Sequence, residues 1–528
     1  MPIAVLFSLA VWRELPYVYH ADEWRTYNTT VGMLDRGSFD PEFFRYPTLM
    51  FYLHALVLAP FEWFGDVEYM QRISLGSAYA PSPGLVALLR AVTVVFALGA
   101  VALAMSISRR VSGSSVAAWT TAALLGVSPM VIEHSRYLAT DTYAAMLSSA
   151  TVAAAIVVFR RGNLRDYLIA GALAGLAGGA KYNAVLVALT IVVAHGLRQP
   201  SQVDSDTPVG GAAEVAARPK PISVQGFASL AASGAAAIVA FIVSTPYAVL
   251  STDRWWDDVS FEMRHYSTGH LGTGESSVFH YVGLLWDTYA VVLLIAAVPL
   301  IVRRTRREAA IVASFVVGYV GFVSRYPLRF DRTILPILPA LAALVGIAVA
   351  LAWDALGRRD APGTSEPSTV VAGASRRARW LRLALVVAVA AAFAVPYDGW
   401  ESARPAGDGR SEAREWIADN LEPGSRILVS NYAPWVDPED YAVEAIPRRG
   451  ISTDEAAGFD YLVLAREEYG RFCRNPKRFA AELARWEALA SSFSTAAEFD
   501  TPSRYVVLAT SAAAQPSPPL CASDASSE

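Results

Sequence analysis

The chain reads as a polytopic α-helical membrane protein of about eleven spans, with a small α/β domain appended outside the membrane. Three observations predict this. Of 528 residues, 54% are hydrophobic and only 17% charged, where a soluble domain carries roughly a quarter charged residues. Long apolar runs recur through residue 397, separated by short polar joints. Arginine-rich joints alternate with acidic ones, the sidedness that the positive-inside rule describes. The net charge of −4 gives no basic surface for nucleic acid.

A spanning helix needs about 20 predominantly apolar residues. Runs of that kind occupy 85–108, 115–131, 139–159, 165–180, 182–198, 226–245, 281–302, 308–324, 333–355 and 382–397. The run 1–15 is the first span. Only about a dozen apolar residues precede Arg13 there, which points to a start upstream of Met1. No separate cleavable signal peptide is evident. Residues 48–64 are apolar but Pro-bounded and aromatic, which suits an interfacial or re-entrant helix. The joints with Arg109-Arg110, Arg160-Arg161, Arg198, Arg303-Arg304 and Arg358-Arg359 are expected in the cytoplasm. Those with Asp22-Glu23, Glu133, Asp141, Asp253 and Asp331 are expected outside, together with the C-terminal tail. Joints 199–223 and 360–375 have the composition of disordered linkers.

Past Pro396 the composition changes. SEAREWIADNL (411–421) is a helix closed by Pro423-Gly424. RILVS (426–430), FDYLVLA (459–465) and SRYVVLAT (503–510) are β-type runs, and NPKRFAAELARWEAL (475–489) is helical with Pro near its first turn. Together they suggest a layered α/β domain over 398–510, with 511–528 a disordered end. Cys473 and Cys521 match no metal-ligand spacing. They pair if the tail is extracytoplasmic, or stand as two free thiols.

The outer joints gather the chemistry. The first outer loop, 13–83, holds His20-Ala21-Asp22-Glu23-Trp24 and then Arg45-Tyr46-Pro47. Carboxylates at a membrane edge are usually kept for a task. One could deprotonate an acceptor hydroxyl, while Arg45 and Tyr46 bind a phosphate. The plainer readings are helix capping for the acids and snorkelling for Arg45. Joint 128–145 adds Glu133, His134, Arg136 and Asp141, the last at a helix start. Lys181 follows the small-residue run GLAGGA, placed to meet a lipid phosphate. Loop 246–280 is long, polar and aromatic, and reads as a lid. His265, His270 and His280 lack a metal signature, so neither a metal nor another cofactor is expected. Arg325, Arg329 and Arg332 lie outside against the positive-inside trend, and arginine clusters suit phosphate.

In this order, HADEW, FFRYPTLMFYL, SRYLATDTYAA, GLAGGAKYNA, TPYAVL and RYPLRFDRTILPILP resemble the GT-C glycosyltransferases of family 39. These are the protein O-mannosyltransferases, the bacterial aminoarabinose transferases and their relatives. The segment REWIADNLEPGSRI resembles the extracytoplasmic domain common in uncharacterised members. The resemblance implies that a sugar leaves a polyprenyl- or dolichyl-phosphate carrier at the outer face of the cell membrane, with inversion. It implies Asp22 as base with Glu23 beside it, Asp141 as a second acid, and cations for the leaving phosphate. The acceptor, a glycan, lipid or protein, stays open. Where aminoarabinose transferases carry Glu-Lys-Pro, this chain has Arg45-Tyr46-Pro47, so Arg45 stands in for the lysine and the metal case weakens. The alternatives are a flippase for lipid-linked sugars and a non-catalytic scaffold. A flippase would place ionisable groups near the midplane in broken helices.

Overall fold

The computed structural model describes residues 7, 11–18, 20–64, 79–198, 223–269, 280–328, 330–359, 384, 409–447, 451–473, 476–500, 504–509, 520 and 521. The expected span 382–397, but for residue 384, lies outside them, as do 1–6 and 8–10 of the first span and 199–222 and 360–375 of the two expected linkers.

In hydrocarbon the backbone must bond to itself, so the apolar runs become helices. Helices α1 (Ala21–Asp35) and α2 (Leu49–Phe64) lie in the loop 13–83. Then follow α3 (Pro83–Ser112), α4 (Ser115–Val127), α5 (Pro129–His134), α6 (Thr140–Arg160) and α7 (Leu164–Ala180). A 3₁₀ turn, Tyr182–Ala188, leads into α8 (Leu189–Leu197). Next come α9 (Val224–Ser244), α10 (Tyr247–Leu250), α11 (Thr252–Thr268), α12 (His280–Ile301) and α13 (Arg306–Val323). A second 3₁₀ turn, Asp331–Ile337, opens α14 (Leu338–Arg359).

Four described segments are long and apolar enough to cross a membrane: Pro83–Ser112, Thr140–Arg160, Val224–Ser244 and Asp331–Leu356. The most apolar stretch of the last is wholly buried, so it forms the bundle's centre, whereas that of Val224–Ser244 is only 17% buried and faces outward. Helices α7 and α9 pack through Gly171, Gly175 and Gly179. A Cβ on Gly171 or Gly175 would strike the backbone carbonyl of Ser233 or Ala237, and one on Gly179 would strike Ser244 Oγ. The four-residue spacing puts all three on one helix face and lets the backbones approach closely. This contact fixes where α7 ends, and therefore where its C-cap residue Lys181 sits.

The tail is a layered α/β unit. It holds α15 (Gly409–Asn420), β1 (Arg426–Val429), β2 (Ala442–Ala445), α16 (Thr453–Ala456), β3 (Tyr461–Ala465), α17 (Arg466–Cys473), α18 (Ala480–Ser491), β4 (Ser494–Asp500) and β5 (Arg504–Ala509). Sheet order is β2-β1-β3-β5-β4; β1 runs parallel to β2 and β3, and β5 antiparallel to β3 and β4. The three β-type runs of the sequence are the three inner strands. The two strands it did not suggest, β2 and β4, are the edges, where one-sided pairing tolerates a polar pattern. The helix expected from 475 begins at Ala480, so Pro476 precedes it in a turn and lies outside its first turn. Beyond the domain's expected end at 510, Leu520 packs into the core and Cys521 forms a disulfide with Cys473. The unit meets the loop 13–83 where Trp435 stacks on Tyr79 (5.2 Å) and Arg414 lies over Tyr17 (3.9 Å).

Candidate active site

Asp22 and Glu23 both fall in the first turn of α1, where the helix dipole favours carboxylates. Adjacent helical residues point about 100° apart, so the two acids meet different neighbours. Glu23 turns inward and is fully buried against Arg90 of α3, with Nε–Oε1 2.9 Å and Nη2–Oε2 2.8 Å. The Leu138 N–H also donates to it (3.3 Å). The remaining Arg90 nitrogen donates to the carbonyls of Val11 (3.2 Å) and Arg13 (2.7 Å). Glu23 therefore anchors the start of α1 to the bundle.

Asp22 turns the other way. It accepts hydrogen bonds from the Tyr46 hydroxyl (2.7 Å) and from Arg332 Nη2 (2.9 Å). Burial alone would raise its carboxyl. Arg332, His20 and the Tyr46 hydroxyl outweigh burial and hold it at about 2. Burial lowers His20 below its ordinary value; its Nδ1 accepts from the Asp22 N–H (3.3 Å), and its Nε2 lies 3.1 Å from Arg332 Nη1. The His20 ring stacks on Tyr137 at 4.3 Å.

A second acid–cation pair lies alongside. Asp141, 2% exposed in the first turn of α6, accepts from Lys181 Nζ. The two pairs share a field: Lys181 acts on Asp22, and Asp141 acts on Arg332. Four separate parts of the chain thus deliver two carboxylates and two cations to one rim.

Helix α11 covers this rim. The Phe44 N–H donates to Asp258 (2.7 Å), and Trp255 Nε1 donates to the Tyr182 hydroxyl (3.1 Å), which donates to the Phe44 carbonyl (2.8 Å). Arg45 lies 3.8 Å over the Phe261 ring and 3.9 Å from Asp258. Burial pushes Glu262 on the same helix up to about 7; the charges of Asp22 and Asp258 add to this and Arg45 opposes it.

Asp22, Tyr46, Asp141, Lys181 and Arg332 are brought together as a group. Glu23 lies behind them as an anchor, and Arg45 sits on the lid side. Arg136 is engaged by the Tyr137 hydroxyl (3.0 Å) and Glu14 (3.5 Å). Arg325 is exposed at the end of α13, and Arg329 lies outside the described residues. His20, Arg90 and Glu262 were not expected. Arg90 had a readable signal, since a lone cation inside an apolar run implies a buried partner.

Residues 11–198 match the family model described as dolichyl-phosphate-mannose-protein mannosyltransferase. The fold is similar to the crystal structure of ArnT from Cupriavidus metallidurans in the apo state, at 16% identity and a TM-score of 0.51, covering 97% of this chain and 99% of that one. The family match takes in residues 11–198 of 528, and the structural likeness shows a shared fold. The fold is also similar to ArnT from Cupriavidus metallidurans bound to undecaprenyl phosphate, at 15% identity and a TM-score of 0.50, over 97% and 98% of the two chains. No curated protein matches in sequence. The family match takes in Asp22, Glu23, Arg45, Tyr46, Asp141 and Lys181, while Arg332 lies beyond it.

Proposed function

We propose that this membrane protein transfers a sugar from a polyprenyl- or dolichyl-phosphate carrier to an acceptor hydroxyl on the extracytoplasmic face, with inversion at the anomeric carbon. The carrying observation is the pair of acid–cation contacts, Asp22–Arg332 and Asp141–Lys181, gathered on one rim. The acceptor oxygen attacks the anomeric carbon as the bond to the phosphate oxygen breaks, and the acceptor proton passes to Asp22. Arg332 and Lys181 meet the charge growing on the departing phosphate, which needs no proton. With its carboxyl held at about 2, Asp22 is ionised at neutral pH. An incoming donor phosphate competes for Arg332, and loss of that cation makes Asp22 more basic at the moment a base is required. Undecaprenyl phosphate bound to ArnT supports the carrier class. The alternation of arginine-rich and acidic joints supports the outer face, as does the disulfide, which belongs in an oxidising compartment.

The test is label release. Membranes carrying the protein, given a radiolabelled polyprenyl-phosphate sugar, should move label from the lipid to a water-soluble or polymeric product. Asp22→Asn should lower this by about 10²–10⁴-fold, the usual worth of a positioned base, without loss of membrane insertion. Undiminished transfer by that variant would overturn the base assignment.

A further inference from the structure

His20, the residue just ahead of α1, is surrounded by more N–H groups than it can accept from. It caps the helix, its Nδ1 accepting from the Asp22 N–H at 3.3 Å. Its Nε2 lies 3.1 Å from Arg332 Nη1, while Nη2 of the same guanidinium is on Asp22 at 2.9 Å. A neutral imidazole offers one lone pair and one N–H. Three N–H groups therefore meet at one ring: that of Asp22, that of Arg332 Nη1 and the ring's own. One lone pair serves only one of them, and protonating the ring would add a further N–H. With the cap bond made at Nδ1, Nε2 carries the proton, and it faces Arg332 Nη1 with N–H towards N–H. The ring is held in this pose, stacked on Tyr137 at 4.3 Å and edge-on to His134 at 6.1 Å. Both His20 and Arg332 are only partly buried, so neither is sealed off from a ligand.

We propose that His20 Nε2–H and Arg332 Nη1 together hold one non-bridging oxygen of the carrier's phosphate, so that His20 is a substrate-binding residue as well as a helix cap. This deepens the function proposed above and rests on it. Two N–H groups converging on one place call for an oxygen that accepts twice. An anionic phosphate oxygen does so, and hydrogen bonds to a charged acceptor are the stronger kind. Because the ring is fixed before the ligand arrives, its N–H needs no reordering as charge grows on the departing phosphate.

The experiment measures binding of undecaprenyl phosphate to the purified protein in detergent, with inorganic phosphate as a separate arm, and the melting midpoint of each ligand-free protein. His20→Asn puts an oxygen about where Nδ1 stands, and Asn is among the best capping residues, but it brings no N–H to the Nε2 position. His20→Gln reaches that position with an N–H and gives up the cap. His20→Asn should therefore keep the wild-type midpoint and lose about tenfold or more in affinity for undecaprenyl phosphate. His20→Gln should do the reverse, melting lower yet binding the lipid more tightly than the asparagine variant. A His20 that only caps the helix predicts the opposite order of affinities. Wild-type affinity in His20→Asn would overturn the proposal, as would a glutamine variant that binds no better than the asparagine one. A response to His20→Asn in the inorganic-phosphate arm alone would overturn the lipid carrier as the ligand. Lipid binding that depends on His20, in protein that moves no label, would uphold this contact and sink the transfer reaction instead.

Discussion

At the scale of single residues, two neighbouring acids have opposite fates. Asp22 faces the rim and Glu23 faces Arg90 at zero exposure. Arg90→Met should leave a buried carboxylate without its counter-charge, at a cost of about 3–5 kcal/mol. This would appear as a sharply lowered melting midpoint in detergent. Combining it with Glu23→Gln should recover much of that loss, because the stranded charge is gone. Equal destabilisation by the single and double variants would argue that Arg90 acts mainly through the Val11 and Arg13 carbonyls. The acidic pair was plain in the sequence. Which member anchors and which faces the rim depended on a cation 67 positions away, and adjacency cannot report that.

At the scale of elements, the α7–α9 contact and the α11 lid control the rim from opposite sides. Gly175→Val should force α9 away from its close approach, since the new Cβ meets the Ala237 carbonyl. A loss of about 1–3 kcal/mol is expected from such overpacking. Activity should fall as well, because Lys181 sits at the end of α7. On the lid, Glu262 titrates at about 7 when folded against an ordinary 4.5. The folded state therefore holds a proton that the unfolded state has released, and this contribution to stability declines as pH rises from 4.5 towards 7. Glu262→Gln should flatten that part of the stability–pH profile, read as melting midpoints from pH 4 to 8. An unchanged slope would mean Glu262 is not the group responsible. The small-residue run GLAGGA was legible as a place of close helix packing, but that α9 is the helix it meets was not. Glu262 was not legible, because α11 meets the distant Phe44–Arg45 segment only in the folded chain.

At the scale of the whole molecule, the disulfide and the Trp435–Tyr79 stack bear on how the tail is held. Cys473 and Cys521 are 48 positions apart, and a bridge closing such a loop typically contributes about 2–4 kcal/mol. Reduction, or Cys473→Ser, should lower the melting transition of the tail by a corresponding amount. Protein taken from membranes under thiol-blocking conditions should carry no free cysteine. Two free thiols would contradict the extracytoplasmic placement.

Hydrophobicity and strand-type runs are local in sequence, so the chain by itself specified a helical bundle and the inner strands of the tail. Partnership is not local. Arg90 with Glu23, Arg332 with Asp22 and Lys181 with Asp141 join residues separated by long stretches of chain. Only packing decided which charges neutralise each other.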